Sequence, residues 1–216
     1  GANVTDIRKP EQLPDLLRDA GITPPGKLLL ESDDLTFSEH TRLSAVFPGA
    51  ALSNGSALLR KCRTVKTPYE IRIMKKTGSR HAAVVAQFAS VYEPGMTDQQ
   101  WSVQMFRLML EAGSLGLFRI AGGSMEGFMG TILAGDNGGA ASPYDFALGG
   151  AGLHPSLPVG QSGVKLTEGM AVMVDVAGNF YGYLTDCTRT FSIGRLPQKA
   201  YDAHRLSSDI QQAIAA

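Results

Sequence analysis

The sequence predicts an α+β protein, and three observations carry that prediction. Two capping boxes, Thr67-Pro68-Tyr69-Glu70 and Thr97-Asp98-Gln99-Gln100, each open a stretch with apolar residues at helical spacing. Residues 171–193 hold two β-rich runs around a glycine-punctuated turn, the pattern of an antiparallel hairpin. Residues 1–62 alternate short helical and extended segments, which reads as part of an α/β domain.

The elements follow in chain order. Glu11 to Ala20 reads as helix, ended by Gly21 and Pro24-Pro25. Lys27 to Glu31 reads as a strand and Phe37 to Val46 as a helix. The helix after Thr67 places Ile71, Met74, Ala82, Val85 and Phe88 on its apolar stripe, and Pro94-Gly95 stops it. The second capped helix runs to about Ala112, before Gly113, with Trp101, Met105 and Met109 as a core stripe. From Gly122 to Gly163 the chain reads as loop, because 12 of its 25 glycines fall there; Met129 to Ala134 is a strand within it. Tyr201 to Ala216 reads as an amphipathic helix.

Composition removes several function classes. The formal net charge is zero, which argues against a nucleic-acid partner. No apolar run approaches the roughly 20 residues of a membrane span, so no membrane partner is expected. No glycine cluster is followed by the residues of a phosphate loop or sits in a dinucleotide fingerprint. Cys62 and Cys187 have neither zinc nor disulfide-framework spacing. Together with a start that lacks the charged and apolar regions of a signal peptide, they suggest reduced thiols in a cytoplasmic protein.

The chemistry concentrates in VDVAGNFYGYLTDCTRTF, residues 174–191, where Asp175 and Asp186 stand eleven positions apart in an apolar segment. Ala171 to Val176 reads as one strand, Gly178-Asn179 and Gly182 as the turn, and Tyr183 to Ile193 as the returning strand. A loop centred between Phe180 and Tyr181 sets Asp175 directly opposite Asp186, on one face of the sheet. Facing carboxylates repel, and burial raises the cost. Arg189, three residues from Asp186, falls on the other face. A divalent cation would neutralise the pair, since hard cations take carboxylate oxygens. A shared proton, a solvated face or a register slipped by one are the alternatives.

The hairpin VDVAGNFYGYLTDCTRTFSIG resembles the metal-binding hairpin of the pita-bread metallopeptidases, the creatinase, Xaa-Pro aminopeptidase and prolidase family. Asp175, Gly182-Tyr183 and the run Asp186 to Phe191 carry the likeness, and Leu58 to Glu70 (LLRKCRTVKTPYE) resembles the segment that opens the catalytic domain. The resemblance covers roughly residues 55–205. It implies an α+β chain holding the first half of the pita-bread catalytic domain, 63–216, preceded over 1–62 by the carboxyl-terminal part of an α/β domain.

The same resemblance implies a function. The parent protein would cut Xaa-Pro bonds of short proline-containing peptides with two divalent ions, manganese, cobalt or zinc. Asp175 and Asp186 match two of the five metal ligands, and the remaining His and two Glu have no counterpart here, since no His follows His204 and no Glu follows Glu168. A substrate-side histidine is also implied. His154, 21 residues before Asp175, is the candidate, although a lone loop histidine is also an ordinary surface or packing residue. His40, His81 and His204 lie outside any matching motif. A fragment of this kind would be inactive, hold metal weakly or not at all, and leave Met173, Leu184 and the two Asp uncovered. Self-association as a homodimer is the expected consequence. The other class is a non-catalytic pita-bread module that binds peptides or proteins.

Overall fold

The computed structural model describes residues 4–119, 126–127, 130–141 and 149–215. The chain is α+β, as predicted, and folds as two compact units, one within residues 1–67 and one within 68–119 and 126–216. Met129, the expected first residue of a strand, lies outside the described residues.

In the first unit, α1 (Leu13–Asp19) closes on Gly21 at φ +68°, where Ile22 N donates to the Leu17 carbonyl at 2.8 Å. β1 (Lys27–Leu30) leads into α2 (Phe37–Val46), whose bounds are those the sequence predicts. Thr36 caps α2 reciprocally with Glu39. β2 (Ala51–Asn54) returns parallel to β1, and α3 (Ser56–Thr64) follows. Parallel pairing through a helix is the α/β signature expected of this stretch. β2 carries no strong sequence pattern; it is exposed along its whole length, so no alternation marks it.

In the second unit, α4 (Pro68–Val85) and α5 (Asp98–Glu111) cover one face of a three-stranded antiparallel sheet, after which α6 (Gln198–Ala215) leaves. β3 (Phe118–Arg119) and β4 (Glu126–Gly127) form a small separate ladder. The main sheet runs β5 (Gly130–Ala134), β6 (Ala171–Phe180), β7 (Tyr183–Ser192), with β6 central. Val172, Val174, Val176 and Phe180 alternate inward and are buried against Phe88, Trp101, Met105 and Met109. Each such side chain contributes about 1.5–3 kcal/mol on burial. The predicted stripe on α5 is this core, and Trp101 Nε1 donates to the Phe88 carbonyl at 3.0 Å.

Two expectations need correction. The turn is Tyr181-Gly182, at φ +56° and +78°, with Phe180 paired to Tyr183; Gly178 and Asn179 continue the strand. Positive φ at both central residues is what a two-residue hairpin requires. Tyr181 is steadied there by the Arg80 guanidinium, which donates to its hydroxyl at 3.3 Å, and by Lys76, 4.2 Å from its ring centre. Gly178 serves close approach instead, since a Cβ there would lie 2.7 Å from the His81 ring.

The second correction concerns α4. Ile71 and Ala82 are exposed, while Thr77, His81, Val84 and Val85 are buried. The inward stripe of α4 contains polar residues because they hydrogen-bond the hairpin. Thr77 Oγ1 donates to the Phe180 carbonyl at 2.8 Å, and His81 Nδ1 lies 2.9 Å from Thr185 Oγ1.

The described part of the glycine-rich stretch is tightly tied down. Asp98, fully buried at the start of α5, accepts from Ser162 N at 3.0 Å and Gly163 N at 2.9 Å. Asn137 accepts from Ala151 N and donates to the Gly160 carbonyl. A Cβ on Gly150 would fall 2.3 Å from the Gly160 carbonyl oxygen, so glycine there permits two backbones to touch.

Candidate metal centre

β6 and β7 place Asp175 and Asp186 on the same sheet face, opposite the core. Their register differs from the expected one by two residues. Asp175 pairs with Thr188, and Asp186 pairs with Ala177. The pair is therefore diagonal rather than directly opposed. A shift of two keeps every side chain on its predicted face, whereas a shift of one would have reversed it. The physical reason is the turn: looping at Tyr181-Gly182 rather than across Phe180-Tyr181 moves β7 by two positions against β6.

Asp175 is half-buried and Asp186 is exposed on the edge strand. Thr188 Oγ1 donates to Asp175 Oδ1 at 2.5 Å. Burial pushes the Asp175 carboxyl above its usual range, the Thr188 hydroxyl opposes this, and the neighbouring Asp186 charge adds to the rise. Arg189 pairs with Val174, on the other face, and donates to the Thr188 carbonyl at 2.7 Å. Among the described residues neither carboxylate has an ion-pair partner. On the helix side, burial lowers the His81 pKa, Asp186 opposes the shift, and Arg189 reinforces it.

These donors suit a hard divalent cation in kind, being carboxylate oxygens supported by hydroxyls. They fall short in number: no group of three or more His, Cys, Asp or Glu could hold an ion among the described residues. Asp175 and Asp186 would supply part of a coordination shell, with the remainder from elsewhere.

The structure does not bring His154 into the same space as Asp186. His154 sits exposed in a tight turn, bridged to Leu157, its Nδ1 accepting from Ser156 N at 3.1 Å. It lines an apolar cleft of about 860 Å³ with Ser102, Val103 and Phe106 of α5. Asp186 instead lines a polar cavity of about 1110 Å³ with Met173, Thr188, His81 and His204. Sequence reasoning passed over Thr188, Thr185 and Thr77. Thr188 was findable, since it stands two residues from Asp186 and so shares its face. The role of Thr77 follows only once the α4–hairpin contact is known.

The three-stranded sheet and its two covering helices, with the paired acids on the open face, match the pita-bread fold. The profile described as metallopeptidase family M24 matches residues 72–216, and the chain belongs to this family. It is 24% identical over 186 residues to the Xaa-Pro dipeptidase of Lactobacillus helveticus, covering 85% of this chain and 44% of that protein. It is 23% identical over 176 residues to the ectoine hydrolase of Halomonas elongata, covering 81% and 40%. The X-Pro aminopeptidase of Thermotoga maritima superposes with a TM-score of 0.73 at 18% identity, covering 97% of this chain and 52% of that one. The chain thus spans about half the length of the relatives it matches. No helix among the described residues is long and apolar enough to cross a membrane.

Proposed function

We propose that the protein containing this stretch hydrolyses Xaa-Pro bonds of short peptides as a dinuclear metal-dependent exopeptidase, an aminopeptidase or dipeptidase. The observation that carries the reading is the Asp175–Asp186 pair, two carboxylates on one face with no cation opposite either among the described residues. Asp175 and Asp186 would hold the metal. When bound, two divalent ions supply a water of lowered pKa and a charge to polarise the scissile carbonyl. Thr188 holds the Asp175 carboxylate in place by its hydrogen bond. The core side of β6 and the two helices keep that strand rigid, as a site needing sub-ångström placement demands. His154, in a turn with Ser156, lines a different cleft from Asp186 and is assigned the substrate-side role on the resemblance alone. The α/β segment over 1–62 and the catalytic segment over 63–216 are assigned as separate domains. Residues 1–216 alone, with two carboxylates, are proposed to be inactive.

A second reading, hydrolysis of ectoine or a compound like it, is favoured by the relative named ectoine hydrolase, which matches as well as the dipeptidase does. The test is an assay with manganese of residues 1–216 and of the gene's full-length product, on a proline dipeptide, a proline tripeptide and ectoine. Peptide turnover by the full-length product, lost in Asp175→Ala, is expected, with none from residues 1–216. Turnover that survives Asp175→Ala would contradict the proposal, and turnover of ectoine alone would select the second reading.

A further inference from the structure

Resting on the metal reading of Asp175, we infer that Thr131 is a second positioning residue for that carboxylate, its hydroxyl fixing the oxygen that Thr188 leaves free. Thr131 is the Cα partner of Asp175 on β5, as Thr188 is on β7. The three residues form one row across the sheet, Thr131–Asp175–Thr188, with side chains on one face. Thr188 spends its hydroxyl on Asp175 Oδ1. Thr131 is 4% exposed, and its Oγ1 has no hydrogen-bond partner among the described residues.

A buried hydroxyl without a partner costs free energy that a valine of the same shape would not. Strand propensity does not explain the choice, because Val suits a strand as well as Thr. The hydroxyl is explained if it acquires a partner in another state of the site. An ionised carboxylate accepts at both oxygens, and one of them is already taken. Directly opposed residues on one sheet face have Cβ atoms roughly 4.5–5.5 Å apart, so a rotation of the carboxylate brings its second oxygen within reach of Thr131. A cation drawn to Asp175 supplies the reason for that rotation.

The neighbouring residue supports the arrangement. A Cβ on Gly130 would lie 2.0 Å from the Asp175 carbonyl oxygen, so β5 approaches β6 here as only glycine allows. Leu133, on the same face of β5, is also buried, whereas Leu184 on β7 is 44% exposed. Thr131 thus flanks Asp175 on the dry side of the site, where a hydrogen bond to a charged group is strongest.

The experiment titrates Mn²⁺ alone into the gene's full-length product, following the electron paramagnetic resonance of free ion, for the parent, Thr131→Val, Thr131→Ser and Asp175→Asn. Partners that orient a ligand typically alter metal affinity by about 10–100-fold. Thr131→Val is expected to weaken binding about tenfold, with Thr131→Ser close to the parent and the metal-free melting midpoint of the valine variant no lower than the parent's. Three results would overturn the role: valine binding as the parent does while Asp175→Asn is weakened, serine and valine weakened alike, or a valine variant that melts earlier without metal. Unchanged binding in Asp175→Asn, or no binding by the parent, would remove the metal reading itself and this role with it.

Discussion

At Asp175 the fold maintains a charge against its own stability. The carboxyl titrates above 3.8 because burial and the Asp186 charge outweigh the Thr188 hydrogen bond. A raised folded pKa means the folded chain binds the proton more tightly than the unfolded one. The penalty is complete above the folded pKa and is relieved as pH falls towards 3.8. Asp175→Asn, which keeps an acceptor for Thr188, should therefore stabilise the metal-free chain at neutral pH by a few tenths to about 1 kcal/mol. Urea denaturation of both proteins measures this, and a less stable variant would refute it. The acids were legible in the sequence because charge in an apolar hairpin stands out. Thr131 was not, since its meaning lies in the pairing of β5 with β6, two strands separated by 36 residues and by no turn that sets their register.

Between elements, polar contacts link α4 to the hairpin. Thr77 serves the carbonyl of Phe180 at the end of β6, and His81 meets Thr185 beneath β7. Thr77→Val leaves a buried carbonyl without its donor and should cost about 1–3 kcal/mol, read as a lowered denaturation midpoint. His81 is buried and its pKa lies below 6.5, so the unfolded chain takes up a proton that the folded chain resists. Its contribution to stability is therefore intact above pH 6.5 and lost as pH falls below that value towards the folded pKa. Denaturation at pH 7.5 and 5.5, values of about one unit either side of the ordinary His pKa, should show a loss that His81→Gln removes; an equal loss in the variant would assign the effect elsewhere. Helices with strong caps, such as α2 and α5, were legible to the residue or nearly so. The inward face of α4 was misread because apolar periodicity alone cannot find a buried Thr and His. The hairpin turn was misplaced because Gly178 looks like a turn residue and is a packing residue.

Across the whole molecule, the likeness to longer hydrolases and the open face of the sheet point the same way. Leu184 on that face is exposed, and on α6 Leu206, Ile210 and Ile214 are 61%, 52% and 81% exposed, with no residue of that helix buried. Apolar groups left uncovered in this way promote association. Residues 1–216 should self-associate in sedimentation experiments, and Leu184→Lys with Ile210→Lys should shift the population to monomer; a monomeric parent would show that these surfaces are inert. The central claim is that Asp175 and Asp186 form one shared cation site. Its most direct measurement is paramagnetic broadening of backbone amide resonances by trace Mn²⁺. The account predicts broadening centred on Asp175, Asp186, Thr131 and Thr188 and abolished in Asp175→Asn/Asp186→Asn. Broadening centred on other residues, or unchanged in that double variant, would contradict it.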